Sequence, residues 1–110
     1  MDCEYHFALT QRAKQDVRQN VGYIRNELGN EKAAEMLMNE LDQCIERLCV
    51  FPESGKLVFD EYLPGIHVRR KIVGKYILFY QVLKEEKVIR ILRIVYGRRD
   101  MDEVLKHVNS

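Results

Sequence analysis

Apolar and polar residues alternate at the start of the chain, with Tyr5, Phe7 and Leu9 against His6, Ala8 and Thr10. A period of two is the mark of a strand buried on one side. The period then lengthens. Ala13, Val17, Val21, Ile24 and Leu28 form one stripe of an amphipathic helix, and Thr10 stands at its N-cap position. Gly29 sits where helices end, and Asn30 can cap the next one. That second helix shows the stripe Ala34, Leu37, Leu41, Ile45 and Leu48 and stops at Phe51-Pro52. Two helices joined by so short a Gly-Asn break fold back on each other as an antiparallel hairpin.

The second half supplies a surface for the hairpin to cover. After a loop containing Pro52, Gly55, Pro64 and Gly65, Ile66 and Val68 alternate with His67 and Arg69. The stretch YILFYQVL, Tyr76 to Leu83, is apolar on both faces and predicts a central strand in which Tyr76, Phe79 and Tyr80 serve as core. Lys84 to Lys87 make a charged turn, and Val88 to Tyr96 return as the third strand of a meander. Asp100 and Glu103 form a capping-box-like pattern ahead of Val104, Leu105 and Val108, which predicts a short final helix. The order is β-α-α-β-β-β-α, an α+β fold with the helical hairpin packed on one face of a small, mostly antiparallel sheet. Residues 1–110 read as a single domain, without linker, repeat or low-complexity segment.

Composition adds little to this picture. Hydrophobic residues make up 46% of the chain and charged ones 32%, the balance of an ordinary soluble globular protein. No apolar run is long enough to span a bilayer, and the opening MDCEYHF lacks the basic and apolar regions of a signal peptide, so a cytoplasmic location is expected. Cys3, Cys44 and Cys49 lack C-x-x-C spacing and read as reduced, structural thiols. A zinc site drawn from them with His6, His67 or His107 has no recognised ligand spacing behind it.

Charge changes the picture more. The net charge of +1 conceals a balance of −5 over residues 1–65, +8 over 66–99 and −2 from Asp100 onward. An asymmetry of this size predicts a directed electrostatic surface; a solvated sheet face paired with the acidic helices is the alternative. The stretch RIVYGRRDM, residues 93–101, concentrates the effect, with Arg98 and Arg99 just beyond the strand end at Tyr96. Gly97 is expected to let the backbone turn tightly so that both arginines project from the strand end; the alternative is a surface pair bridged to Asp100 or Asp102. Arg69 and His67 are expected on the sheet face away from the helices. Arginine forks match phosphate oxygens two at a time, and aromatics on a sheet can stack bases, so RNA, DNA or an acidic protein segment is the expected ligand class.

Five segments together resemble the RelE/ParE superfamily, the toxic half of bacterial type II toxin–antitoxin pairs. They are FALTQRAKQDVRQNVGYI, LGNEKAAEML, LCVFPESG, LPGIHVRRKIVGKYILFYQV and ILRIVYGRRDMDEVL, in the family's order over nearly the whole chain. The resemblance implies the fold derived above, a cognate antitoxin in a hetero-oligomer, no cofactor, no metal and no membrane partner.

It also divides the functional expectations. RelE-like members resemble ribosome-dependent messenger RNA endoribonucleases, which must activate a 2′-hydroxyl, stabilise the phosphate and protonate the leaving oxygen. On that pattern Arg99 falls on a phosphate-stabilising arginine, and Arg69 and His67 fall where basic residues are expected. Ile77, however, replaces a strand arginine, Leu105 replaces a C-terminal tyrosine, and His107 is the remaining acid–base candidate. ParE-like members poison DNA gyrase by binding and need no catalytic residues. Under that reading Arg70, Lys71, Arg90, Arg93, Tyr96 and Arg98 form the surface for the target or the antitoxin, whose C-terminal segment is expected to fold on binding the basic face. A toxin-like protein that has lost its activity is the third reading.

Overall fold

A computed structural model describes residues 4–58, 67–97 and 101–106, with side chains in the last segment from Val104 onward. Its elements are β1 (His6–Leu9), α1 (Gln11–Gly22) continuing into a π-helical turn (Tyr23–Glu27), α2 (Glu31–Val50), β2 (Lys56–Val58), β3 (Val68–Val73), β4 (Tyr76–Leu83), β5 (Val88–Tyr96) and α3 (Met101–Lys106). The strands form one sheet in the order β1-β5-β4-β3-β2. Strand β1 runs parallel to β5, and every other pairing is antiparallel. This is the expected α+β architecture with β4 at the centre of the sheet. Strand β2 is an addition: three residues are too few to display a period, and it is visible only through its pairing with β3.

Both helix starts follow their expected chemistry. The Thr10 hydroxyl accepts from the Ala13 amide at 3.1 Å, and the Asn30 side chain accepts from the Ala33 amide at 3.0 Å. The end of the first helix departs from the stripe. Leu28 is 59% exposed, because the π turn spreads an extra residue into its last turn and the Leu28 amide reaches back to the Tyr23 carbonyl at 3.1 Å. Gly29 then takes a φ of 59°, the left-handed conformation that stops the helix.

Two apolar layers lie on opposite sides of the sheet. The larger joins Ala13, Val21 and Ile24 of the first helix and Ala34 to Cys49 of α2 with Leu78, Tyr80, Ile89, Ile91 and Ile94. The smaller comprises Val68, Phe79, Leu92 and Val95 beneath Val104 and Leu105 of α3. Part of the face expected to carry charge is therefore apolar and covered.

The seam between α1 and β5 is closed by polar side chains. Strand β1 ends with Leu9 opposite Ile91, and among the described residues no strand covers the rest of that edge of β5. The α1 segment takes over: Thr10 Oγ1 donates to the Leu92 carbonyl at 3.1 Å, Asp16 Oδ2 accepts from the Ile94 amide at 3.0 Å, and Asn20 Nδ2 donates to the Ile94 carbonyl at 3.0 Å. A bulge in β5 shifts the register between Tyr80 opposite Ile91 and Phe79 opposite Arg93. Beside it, Arg93 donates to both carboxylate oxygens of Asp16, at 2.7 and 3.1 Å.

Candidate functional site

The +8 segment does not form one charged face. Arg93, expected to touch a partner, is 2% exposed and bound to Asp16, itself 4% exposed. A buried charge needs such a partner, so Arg93 serves the fold and offers no surface; that is a correction. Lys71 lies opposite Leu78, on the helix side of the sheet, and lines a depression with Glu40, Cys44 and Arg47. Burial there pushes the Cys44 thiol up, against the opposing pull of Lys71 and Arg47.

Arg69 also departs from the expected face. It pairs in register with Tyr80, whose side chain belongs to the helix-side core. Its guanidinium donates to the Gly55 carbonyl at 2.8 Å and the Glu53 carbonyl at 3.1 Å. The buried Tyr80 hydroxyl completes this clamp, accepting from the Gly55 amide at 2.9 Å and donating to the Pro52 carbonyl at 2.8 Å. Burial is the main reason that the Tyr80 phenol is pushed up from its ordinary range. Gly55 is required by close packing: a Cβ there would lie 2.5 Å from the Tyr80 hydroxyl and 2.8 Å from the Arg70 carbonyl. This loop clamp was not legible in the sequence, because it joins a tyrosine and an arginine to a loop far from both.

Arg70 and Arg90 do lie on the sheet face away from the hairpin. Arg70 stands opposite Phe79, and Arg90 stands opposite Gln81 and donates to it at 3.2 Å. Both are half-buried, and exposed Ile72 continues the same face. His67 is exposed just before β3. Arg98, Arg99 and His107 lie outside the described residues, as does Asp100. Ile77 packs against the smaller apolar layer and Leu105 is part of it, so both positions that depart from the nuclease pattern serve as core. Among the described residues no group of three or more His, Cys, Asp or Glu converges as a metal site would require.

Tyr96 belongs to a different surface. Its ring meets Tyr76 edge-on, with centroids 5.7 Å apart and planes at 61°. The pair lines an apolar groove of about 860 Å³ together with Tyr23, Leu28, Met36 and Leu37. Tyr23, Leu28 and Met36 are each more than half exposed, an unusual concentration of large apolar side chains for a surface. Burial, followed by the neighbouring Tyr96 and Tyr23, raises the Tyr76 phenol. Gly97 follows immediately as a turn residue, and the projection of Arg98 and Arg99 beyond it lies outside the described residues. Its φ lies outside the left-handed range; its missing side chain instead lets its amide bond the Lys75 carbonyl at 2.9 Å, where a Cβ would come within 3.2 Å.

The family model described as the ParE toxin of the type II toxin–antitoxin system parDE matches residues 7–101, from β1 through the clamp, the seam and the groove. The chain belongs to the ParE toxin family. No curated protein matches it. Membership carries with it the role of a type II toxin and a cognate antitoxin as partner. Among the described residues no helix of this ParE-family toxin is long and apolar enough to cross a membrane.

Proposed function

We propose that this ParE-family toxin arrests growth by binding its target, DNA gyrase, and not by cutting RNA. The observation that carries the reading is the use of three nuclease-pattern positions for folding. Arg69 is held by two backbone carbonyls, while Ile77 and Leu105 pack in the smaller core. An arginine whose Nη1 is committed to two carbonyls is anchored to its loop, and neither an isoleucine nor a leucine can move a proton. Arg70 and Arg90, together with Arg98 and Arg99, are the proposed target-binding cations.

Induction in a sensitive bacterial host without antitoxin, with RNA ends mapped across translated messages within minutes, tests the choice. Arrest with intact messages supports binding. Codon-phased cuts that vanish in Arg99→Ala would overturn it in favour of ribosome-dependent cleavage. Unimpaired growth would mark a decayed toxin.

The antitoxin segment that folds on binding needs apolar surface to offset its ordering entropy, and the Tyr23–Leu28–Met36 groove supplies it better than the divided basic residues. Leu28→Lys with Met36→Lys is expected to weaken antitoxin binding at least about tenfold. Weakening by Arg70→Glu with Arg90→Glu alone would return the antitoxin to the basic face.

A further inference from the structure

The two edges of the sheet are finished differently. Strand β2 at one edge has three residues and opens with Lys56, two common means of discouraging a further strand. At the other edge, β1 is one residue longer and carries no such charge. From Tyr5 to Gln11 there is no Lys, Arg, Asp, Glu or Pro, and Phe7 is 55% exposed.

The hydrogen bonds of β1 fix which backbone groups face outward. The His6 amide donates to the Lys87 carbonyl at 2.9 Å and the Thr10 amide to the Ile91 carbonyl at 3.0 Å, so even-numbered residues face β5. In a strand the N–H and C=O of one residue point the same way, so those of Phe7 and Leu9 face outward. Among the described residues, no strand lies on that side.

We infer that β1 is a self-association edge, pairing antiparallel with β1 of a second copy of this chain about a twofold axis at Ala8. In that register Phe7 stands opposite the partner's Leu9, and Leu9 opposite the partner's Phe7. Two outward-facing residues on each chain exchange amide and carbonyl bonds, and two exposed apolar edges are closed by one isologous contact. Charge fits the same register. Glu4, exposed beside Lys87, is carried toward the start of the partner's α1, where the first turn holds Arg12 and no acid. A carboxylate is favoured near a helix N-terminus and near an arginine. The contact is four residues long, so the dimer is a weak one that forms with rising concentration. It requires neither gyrase nor RNA as target.

The test uses the purified full chain, with its mass followed by sedimentation across concentration. Wild type is expected to move from one chain toward two, and Phe7→Lys, a change at an exposed position, to remain a single chain with unchanged circular dichroism. The register has its own probe. Directly opposed non-hydrogen-bonded residues have Cα atoms about 4.5 Å apart, within disulfide reach. Ala8→Cys is therefore expected to cross-link under mild oxidation, and His6→Cys, opposite the partner's Thr10, to do so far less. A single chain at every concentration, with no Ala8→Cys cross-link, would overturn the inference. So would a dimer indifferent to Phe7→Lys, or Phe7 and Leu9 amides that gain exchange protection only when antitoxin is added.

Discussion

At the seam between α1 and β5, Arg93 lies 2% exposed in the grip of Asp16; Arg70, in the same cross-strand row through Phe79, and Arg90 are only half-buried. All three come from the same +8 stretch, and Arg90 and Arg93 even share a setting between two aliphatic neighbours. What separates them is topology. Strand β1 stops opposite Ile91, so the last part of β5 is left to a helix that can answer only with side chains, and Arg93 is used to complete that answer. Arg70 lies on β3, where both neighbouring strands supply backbone partners and the side chain is left over. Charge counted along a chain therefore measures the supply of cations and not their direction.

The comparison can be broken most severely at the seam. Asp16→Ala leaves a buried guanidinium unpaired and takes a partner from the Ile94 amide, and is expected to cost about 3–5 kcal/mol in denaturant unfolding. A loss below about 1 kcal/mol would mean that water reaches Arg93 and that the seam is not sealed.

The loop clamp should give the next largest effect. Gly55→Ala forces a methyl against the Tyr80 hydroxyl and the Arg70 carbonyl, for an expected loss of about 1–3 kcal/mol. Tyr80 also sets an alkaline limit. Its phenol is raised in the fold, so the neutral form is favoured there, whereas the unfolded tyrosine ionises from about pH 10. Its contribution is complete below that pH and is lost as pH rises through the raised native value. Wild type should thus lose stability above about pH 10, and Tyr80→Phe should be less stable at neutral pH yet show a shallower alkaline decline. An unchanged alkaline slope in Tyr80→Phe would assign the limit to other groups.

The smallest stability effect belongs to the open face. Arg70→Glu with Arg90→Glu is expected to leave unfolding within about 0.5 kcal/mol per site while sharply reducing growth arrest. Full toxicity in that variant would remove these arginines from the working surface.

Much of the fold was legible in the sequence because its signals are local. The caps at Thr10 and Asn30, the stop at Gly29, both helix stripes and the doubly apolar β4 each depend on residues within a few positions. What escaped depends on distance or on very short elements. Strand β2 is defined by pairing, the π turn that exposes Leu28 by an altered helical bond, and the bulge beside Arg93 by a register shift. The candidate site was legible in its ingredients and not in its arrangement. Tyr96 was identified from its place near the arginines, whereas the groove around it needs Tyr23, Leu28 and Met36 brought together from the helical hairpin. Arg69 was identified for its charge, but its carbonyl partners lie in a loop about 15 residues away.

On the reading proposed here, this ParE-family toxin acts by gripping gyrase, and Arg69, Ile77 and Leu105, three positions of the nuclease pattern, serve the fold. The most direct measurement is supercoiling of relaxed plasmid by purified gyrase in the presence of the purified chain. The account predicts a dose-dependent loss of supercoiling, reversed by the cognate antitoxin and weakened by Arg70→Glu with Arg90→Glu. Full supercoiling with the chain in excess, in a preparation that still arrests growth when expressed, would contradict it.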